Sequence, residues 1–130
     1  MNKIDLINYW IETSKHDYES CFDLFNKTQR YDWTLFIAHL SLEKILKAAW
    51  LKNNSSNNPP FIHNLLKLSN ETNLNLNEDQ KIILAEFNDF NIETRHPDYK
   101  LNFYRLCTKD FTENKLFQFK EIYQCILKKM

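Results

Sequence analysis

The stretch that most constrains the fold is residues 31–52, YDWTLFIAHLSLEKILKAAWLK, which contains neither Gly nor Pro. Without a helix breaker, this stretch is predicted to form one helix of about twenty residues. Its apolar residues do not form a single stripe on a helical wheel, because Leu, Ile and Ala on one side are opposed by Trp, Phe and Ile on the other. A helix that is apolar nearly all round must be enclosed by other elements of the chain or by a second subunit. These residues are therefore predicted to form the central helix.

Three charged residues, Glu43, Lys44 and Lys47, interrupt the apolar interior of this helix. Glu43 and Lys47 stand four residues apart, in the favourable acid-first order, on a common face. On an ordinary surface helix such charges form a solvated strip, with the Lys stems lying over apolar neighbours. On a helix that is apolar nearly all round, they are equally expected at a subunit seam or along a cleft. His39, one turn earlier, is placed to join them.

The composition excludes several classes of function. Seventeen basic and seventeen acidic residues cancel to a net charge of zero, so nucleic-acid binding would need a local patch. Gly is absent, which excludes a Gly-rich phosphate-binding loop and disfavours a hairpin-rich β fold. With 130 residues, the chain is predicted to be a single domain over residues 1–130.

The cysteines Cys21, Cys107 and Cys125 are odd in number and lack metal-ligand spacing, which predicts reduced, mostly buried thiols. The His residues are scattered, and no carboxylate–His spacing matches a metal-binding helix. We therefore expect neither a metal nor another cofactor. No run approaches the roughly eighteen apolar residues of a membrane helix, and the first ten residues lack a signal-peptide core. The prediction is a cytoplasmic protein without membrane association.

Other helices are predicted on both sides of the central one. Residues 3–27 carry apolar groups at helical spacing on one face, and a short polar link makes them the antiparallel neighbour of the central helix. Residues 53–60, NNSSNNPP, cannot continue a helix and are predicted to form an exposed loop. A short third helix follows at about residues 62–69, with His63 at its start.

A fourth helix is predicted to begin after Asn77, which with Gln80 has the spacing of a capping box. Pro97 is predicted to stop this helix within residues 93–96, because the residue before a Pro is pushed out of the α region.

Residues 98–107 have no clear period and are predicted to form a loop or a short turn of helix. The last helix is predicted to begin near Thr108 or Asp110, either of which can cap it. Together these elements predict an all-α fold, an antiparallel up-and-down bundle of about five helices.

Three segments carry a resemblance to a known family: YDWTLFIAHLSLEKILKA, PPFIHNLLKL and a helix ending in NIETRHPDY. Their most specific parts are Glu43-Lys44 inside the apolar helix, His63 before a leucine pair, and Arg95-His-Pro-Asp98. In this combination and order, the chain resembles the HEPN domain (higher eukaryotes and prokaryotes nucleotide-binding domain) over nearly its whole length. The resemblance implies an antiparallel helical bundle, usually a homodimer. It also implies association with a nucleotide, with RNA, or with a nucleotidyltransferase encoded beside it, as in toxin–antitoxin pairs.

Arg95 is the first candidate ligand contact, because a guanidinium offers a planar fork of donors suited to phosphate. The structural alternative is an ion pair from Arg95 to Asp98 or Glu93 that caps the fourth helix. Asp98 is correspondingly either a turn residue or a partner that orients Arg95. Tyr99 is available to stack on a base, within the aromatic and basic run of residues 99–105.

His63 and His96 are the candidates for acid–base chemistry beside Arg95. Many HEPN proteins are metal-independent ribonucleases, whose motif is an Arg followed after four to six residues by a His. No Arg of this chain has a His at that spacing, and Arg95 and His96 are adjacent. Three hypotheses therefore stay open. The first is a nucleotide- or RNA-binding dimer with Glu43, Lys44 and Lys47 also at the site, the second an atypical ribonuclease, and the third a non-catalytic dimeric interaction module.

Overall fold

The computed structural model describes residues 1–98 and 101–130, and for Ile92 the backbone alone. Within these ranges the chain forms helices and no strands, which confirms the all-α prediction. The helices are α1 (Lys3–Lys27), α2 (Tyr31–Asn53), α3 (Leu65–Asn70), α4 (Glu78–Arg95), α5 (Asn102–Leu106) and α6 (Lys109–Lys129). About five helices were predicted, and the additional one is α5, a short helix in the stretch for which a loop or a turn of helix was expected.

The central helix α2 is enclosed by other helices of the same chain. α1 packs along it, while α3, α4 and α6 cover its remaining sides. Leu35, Leu42 and Leu46 are fully buried, and Trp50 is nearly so. Of the two alternatives that the sequence left open, enclosure by the same chain accounts for most of the apolar surface of α2.

A polar layer ties α1, α2 and α6 together inside this core. The hydroxyl of Ser14 lies 2.6 Å from that of Tyr123, and Ser41 donates to the Ser14 carbonyl at 2.8 Å. Ser14 and Ser41 are fully buried, so these hydrogen bonds fix the register of three helices against one another. Burial raises the pKa of the Tyr123 hydroxyl, which keeps it neutral.

The start of α4 confirms the capping box: the Asn77 side chain accepts from the Gln80 N–H at 2.8 Å, and the Gln80 side chain accepts from the Asn77 N–H at 3.0 Å. The start of α3 differs from the prediction. Asn64 is its N-cap and accepts from the Lys67 N–H at 3.0 Å, so His63 lies just before the helix.

α4 ends at Arg95, as the downstream Pro97 predicted, and Thr108 caps α6 by accepting from the Phe111 N–H at 3.2 Å. Leu101, at φ 54°, turns the chain into α5. None of the helices in the described ranges is long and apolar enough to cross a membrane.

Candidate functional site

A carboxylate–histidine cluster, formed by His39, Glu43, Lys47 and His63, lies between α2 and the loop that precedes α3. Glu43 is buried, and its two carboxylate oxygens have different partners. Oε1 lies 2.7 Å from Nδ1 of His63, and Oε2 accepts from Nζ of Lys47 at 3.1 Å. The Lys47 ammonium also lies 5.3 Å from the ring centroid of Trp10, a cation–π distance. The buried carboxylate is thus compensated on both sides.

His39 and Glu43, on successive turns of α2, both contact the same loop residue, His63. Nε2 of His39 lies 3.0 Å from the carbonyl oxygen of His63. A carbonyl only accepts, so Nε2 carries the proton and Nδ1 is unprotonated. Burial lowers the pKa of His39 to about 4, and the ring is neutral at neutral pH.

The predicted constellation on α2 therefore divides into two parts. Glu43 and Lys47 join the carboxylate–histidine cluster together with His63. Lys44 points instead toward α1, where its Nζ lies 2.6 Å from Asp17. The His63 side chain is 55% exposed, so its ring stays accessible while the carboxylate holds its Nδ1.

Arg95 and His96 are exposed at the end of α4. Among the residues that the structure describes, no carboxylate forms an ion pair with Arg95, so the alternative in which Glu93 or Asp98 pairs with it is not observed there. The Asp98 carboxylate accepts from the Asn102 N–H at 2.8 Å and so stabilises the start of α5. Tyr99, the predicted stacking residue, lies outside the described residues.

The structure does not bring Arg95 and His63 together within one chain. The Thr94 hydroxyl donates to the Asp32 carbonyl at 3.2 Å, which places the end of α4 at the start of α2. Glu43, the partner of His63, lies eleven residues further along α2, a distance of about 16 Å at the helical rise of roughly 1.5 Å per residue. Arg95 therefore lies near the start of α2, whereas His63 lies beside Glu43 in the middle of that helix.

A second candidate site, the arginine–aromatic cleft, adjoins the corner that carries Arg95. It has a volume of about 370 Å³, and its lining includes Arg30, Asp32, Trp33, Thr94, Pro97 and Tyr104. Trp33 is 40% exposed and Tyr104 is 50% exposed, so both rings present surface to a ligand. Since Thr94 and Pro97 line the cleft, Arg95 and His96 lie directly beside it in the chain.

One carboxylate oxygen in the arginine–aromatic cleft lacks a hydrogen-bond donor. Oδ1 of Asp32 is buried and, within residues 1–98 and 101–130, accepts no hydrogen bond. Nε of Arg30 lies 3.8 Å away, an ion-pair distance that is too long for a hydrogen bond. The Asp32 carboxylate therefore interacts with the Arg30 guanidinium by charge alone, and its Oδ1 lies below the surface of the cleft.

Sequence reasoning missed Arg30, Asp32 and Trp33 as site residues. Tyr104 lies in the aromatic and basic run that was singled out, whereas Phe103 of the same run is buried in the bundle. A Trp on a helix that is apolar nearly all round gives no signal that it is exposed. The sequence signal that could have identified these residues is their position, because Arg30 and the first turn of α2 lie at the end of a predicted helix.

Within the described ranges, no group of three or more His, Cys, Asp or Glu residues is placed to hold a metal ion. Cys21 and Cys107 are buried free thiols, and Cys125 is partly buried. Burial raises the pKa of Cys107 to about 12, so this thiol is protonated and unreactive.

The fold and the buried charged cluster define a small helical-bundle domain built on one enclosed helix. A family model for the HEPN domain matches residues 7–130, and the chain belongs to the HEPN domain family. The family that the sequence motifs indicated is thereby confirmed.

The crystal structure of TT1696 from Thermus thermophilus has a similar fold. The two superpose with a TM-score of 0.81 at 20% sequence identity, over 100% of each chain. At that identity the similarity shows a shared fold. A comparison with curated proteins found no match.

Proposed function

We propose that this HEPN-domain protein binds a nucleotide or RNA as a homodimer and acts with a nucleotidyltransferase partner. We infer a nucleotide or RNA ligand from the arginine–aromatic cleft, where Arg30 and the exposed rings of Trp33 and Tyr104 share one surface beside Arg95.

Each part of this cleft matches one part of a nucleotide. An aromatic face stacks on a base of any sequence, at about 1–3 kcal/mol per base. A guanidinium fork suits a phosphate, and both Arg30 and Arg95 are exposed at this end of the bundle. The Asp32 carboxylate also lines the cleft and is an acceptor, which suits a ribose hydroxyl or a base amino group. Since the chain has no net charge, such a local arrangement is what nucleic-acid binding needs.

The assembly part of the proposal is supported by family membership and by exposed apolar side chains. The HEPN resemblance implies homodimers and nucleotidyltransferase partners. Phe61 and Phe117 are large apolar residues at the surface of the single chain, outside the arginine–aromatic cleft, and a second subunit would cover them.

Titration calorimetry with ribonucleotides and a short single-stranded RNA tests ligand binding. Arg95→Ala should weaken binding by about 1.5–3 kcal/mol, the scale of a charge-assisted hydrogen bond, and Trp33→Ala should weaken it by a similar amount. Lys120→Ala, which removes an exposed charge on α6, is the matched control and should bind normally. Absence of binding by the unaltered protein at millimolar ligand would leave the interaction-module hypothesis.

The nucleotidyltransferase partner needs its own experiment. A nucleotidyltransferase encoded beside this chain, if the gene neighbourhood contains one, should co-purify with it after co-expression. A neighbouring nucleotidyltransferase that migrates separately at micromolar concentration would contradict this part of the proposal and leave the ligand-binding part intact.

The pair formed by His63 and Glu43 favours an atypical ribonuclease as the second candidate. A carboxylate on Nδ1 orients an imidazole, and an accessible ring so held can act as a general acid or base. The end of α4 contacts α2 at Asp32, about 16 Å along the helix from Glu43, so a catalytic Arg beside His63 would have to come from a second subunit.

Incubation of labelled RNA with the purified protein in EDTA tests this second function. Cleavage that is lost in His63→Ala and in Arg95→Ala, but kept in His16→Ala, would support it. His16 is an exposed histidine on α1 and serves as the control. Intact RNA after incubation with the unaltered dimer would reject catalysis and leave the binding function.

A further inference from the structure

An apolar groove between α4, α5 and α6 has no role in the function proposed above. This groove has a volume of about 440 Å³. Phe90, Phe103, Leu106 and Phe111 supply its apolar lining. Phe90 and Phe103 are buried beneath it, whereas Leu106 is 53% exposed at its edge. The groove is thus an aromatic floor with an exposed leucine on one wall.

Carboxylates rim this groove along one face of α4. Glu86, Asp89 and Glu93 are spaced three and four residues apart, which places them on the same side of the helix over about 10 Å. In the described part of the chain, Asp89 and Glu93 form no ion pair, and both are exposed. The rim therefore carries negative charge above an apolar floor.

The protein's own Lys115 shows which chemistry suits this rim. Its ammonium forms an ion pair with Glu86 and lies 5.5 Å from the ring centroid of Phe111. One end of the groove thus already holds an ammonium between a carboxylate and an aromatic ring, with the lysine stem lying along apolar surface. Asp89 and Glu93 offer the same combination of charge and apolar floor further along.

We propose that this acidic-rimmed groove is a docking site for a basic amphipathic segment of a partner protein. Apolar side chains of the segment bury Leu106 and the aromatic floor, while its Lys or Arg residues pair with Asp89 and Glu93. Charge complementarity selects this occupant over RNA, because three carboxylates and, among the described residues, no Lys or Arg line the groove, whereas Arg30 offsets Glu93 in the arginine–aromatic cleft. Glu93 and Phe103 line both this groove and the arginine–aromatic cleft, so the two sites adjoin at the end of α4.

The test uses a fluorescein-labelled synthetic peptide of Leu and Lys with helical amphipathic spacing, followed by fluorescence anisotropy. The unaltered protein should bind this peptide, and should not bind the same peptide with Glu in place of Lys. Asp89→Asn/Glu93→Gln should weaken binding at least about tenfold, the effect expected from the loss of two rim contacts. Leu106→Ser should weaken binding about threefold or more, since it removes an apolar contact without changing charge.

A control variant separates docking from general charge attraction. Glu12→Gln/Glu19→Gln removes the same two charges from exposed positions on α1 and should leave the affinity within about twofold. Equal loss in this control and in the groove variant, or unchanged binding in Leu106→Ser, would overturn the proposal. So would failure of the unaltered protein to bind the Leu/Lys peptide, with folding checked by circular dichroism in every case.

The docking proposal and the nucleotide-binding proposal can be tested independently of each other. Asp89→Asn lies on the groove alone and should leave nucleotide binding unchanged. Arg95→Ala should leave peptide binding unchanged. If Asp89→Asn instead abolished nucleotide binding and spared the peptide, the groove would belong to the nucleotide site and the docking proposal would be wrong.

Discussion

Nδ1 of His63 lies 2.7 Å from Oε1 of Glu43, while the carbonyl of the same His63 accepts a hydrogen bond from His39, one turn earlier on α2. A single loop residue is therefore held by its side chain and its backbone on successive turns of the central helix. This double attachment fixes the entry into α3, and it places an accessible imidazole over a buried carboxylate.

Removing one member of the ion pair between Glu43 and Lys47 should destabilise the fold more than removing both. Glu43→Leu leaves the Lys47 ammonium nearly buried without its carboxylate, and the free energy of unfolding should fall by about 3–5 kcal/mol. Glu43→Leu/Lys47→Met removes both charges and should recover most of the loss, because apolar replacement of a buried ion pair is often neutral. Urea denaturation measures both variants. A double variant as unstable as the single one would show that the carboxylate acts mainly through His63.

His39 should make the protein less stable at acidic pH. Its pKa is about 4 in the folded chain, mainly through burial, against about 6.5 when unfolded. Between these values the unfolded chain binds a proton that the folded chain does not, so stability is present above pH 6.5 and falls as pH drops toward 4. The loss attributable to His39 should be on the order of 3 kcal/mol between pH 7 and pH 4.

The matched variant for this effect is His39→Gln, which keeps a donor for the His63 carbonyl and does not titrate. Urea denaturation at several pH values should give a shallower acid slope in His39→Gln than in the unaltered protein. Glu43, Lys47 and His63 surround position 39 in both proteins, so the comparison isolates the change at that position. Parallel curves would assign the acid sensitivity to other groups.

Tyr123→Phe should lower the free energy of unfolding by about 1–3 kcal/mol, because it leaves the fully buried Ser14 hydroxyl without its 2.6 Å partner. Tyr9→Phe is the control, since Tyr9 is exposed on α1 and should tolerate the change within about 0.5 kcal/mol. Thermal and urea unfolding measure both. Equal stability of the two variants would mean that the Ser14 hydroxyl finds another hydrogen-bond partner.

Arg95→Ala should change the melting temperature little, because Arg95 is exposed and forms no ion pair within residues 1–98 and 101–130. A change within about 0.5 kcal/mol is expected for such a site, which is a few degrees or less in a domain of this size. Differential scanning calorimetry measures the shift. A variant that melts many degrees earlier yet binds nucleotides normally would assign Arg95 a structural role.

The protein should sediment as an isologous dimer that buries at least about 1,000 Å² in total, the usual minimum for a specific interface. Because α2 is mostly enclosed within its own chain, the dimer interface must include other exposed apolar residues, such as Phe61 and Phe117. Sedimentation equilibrium at tens of micromolar measures the mass. A monomer under those conditions would contradict the prediction.

The helices were predictable from the sequence because their determinants are local. The two-sided apolar pattern of residues 31–52 predicted α2, and the spacing of Asn77 and Gln80 predicted the start of α4. Periodicity and caps act over three or four residues, so a sequence displays them directly. The start of α3 was predicted near residue 62, but Asn64 caps the helix, which begins at Leu65, and the Leu65 N–H donates to Asn88 of α4.

The contacts of the candidate sites depend on packing between distant segments. The sequence identified Glu43, Lys47, His63 and Arg95 as polar residues that need an explanation, but it suggested that His63 and Arg95 meet. The fold instead places His63 on Glu43, twenty residues away in sequence, and the end of α4 on Asp32. Which side chains meet is set by how the helices pack against α2, and that packing is the sum of many apolar contacts that no local pattern contains.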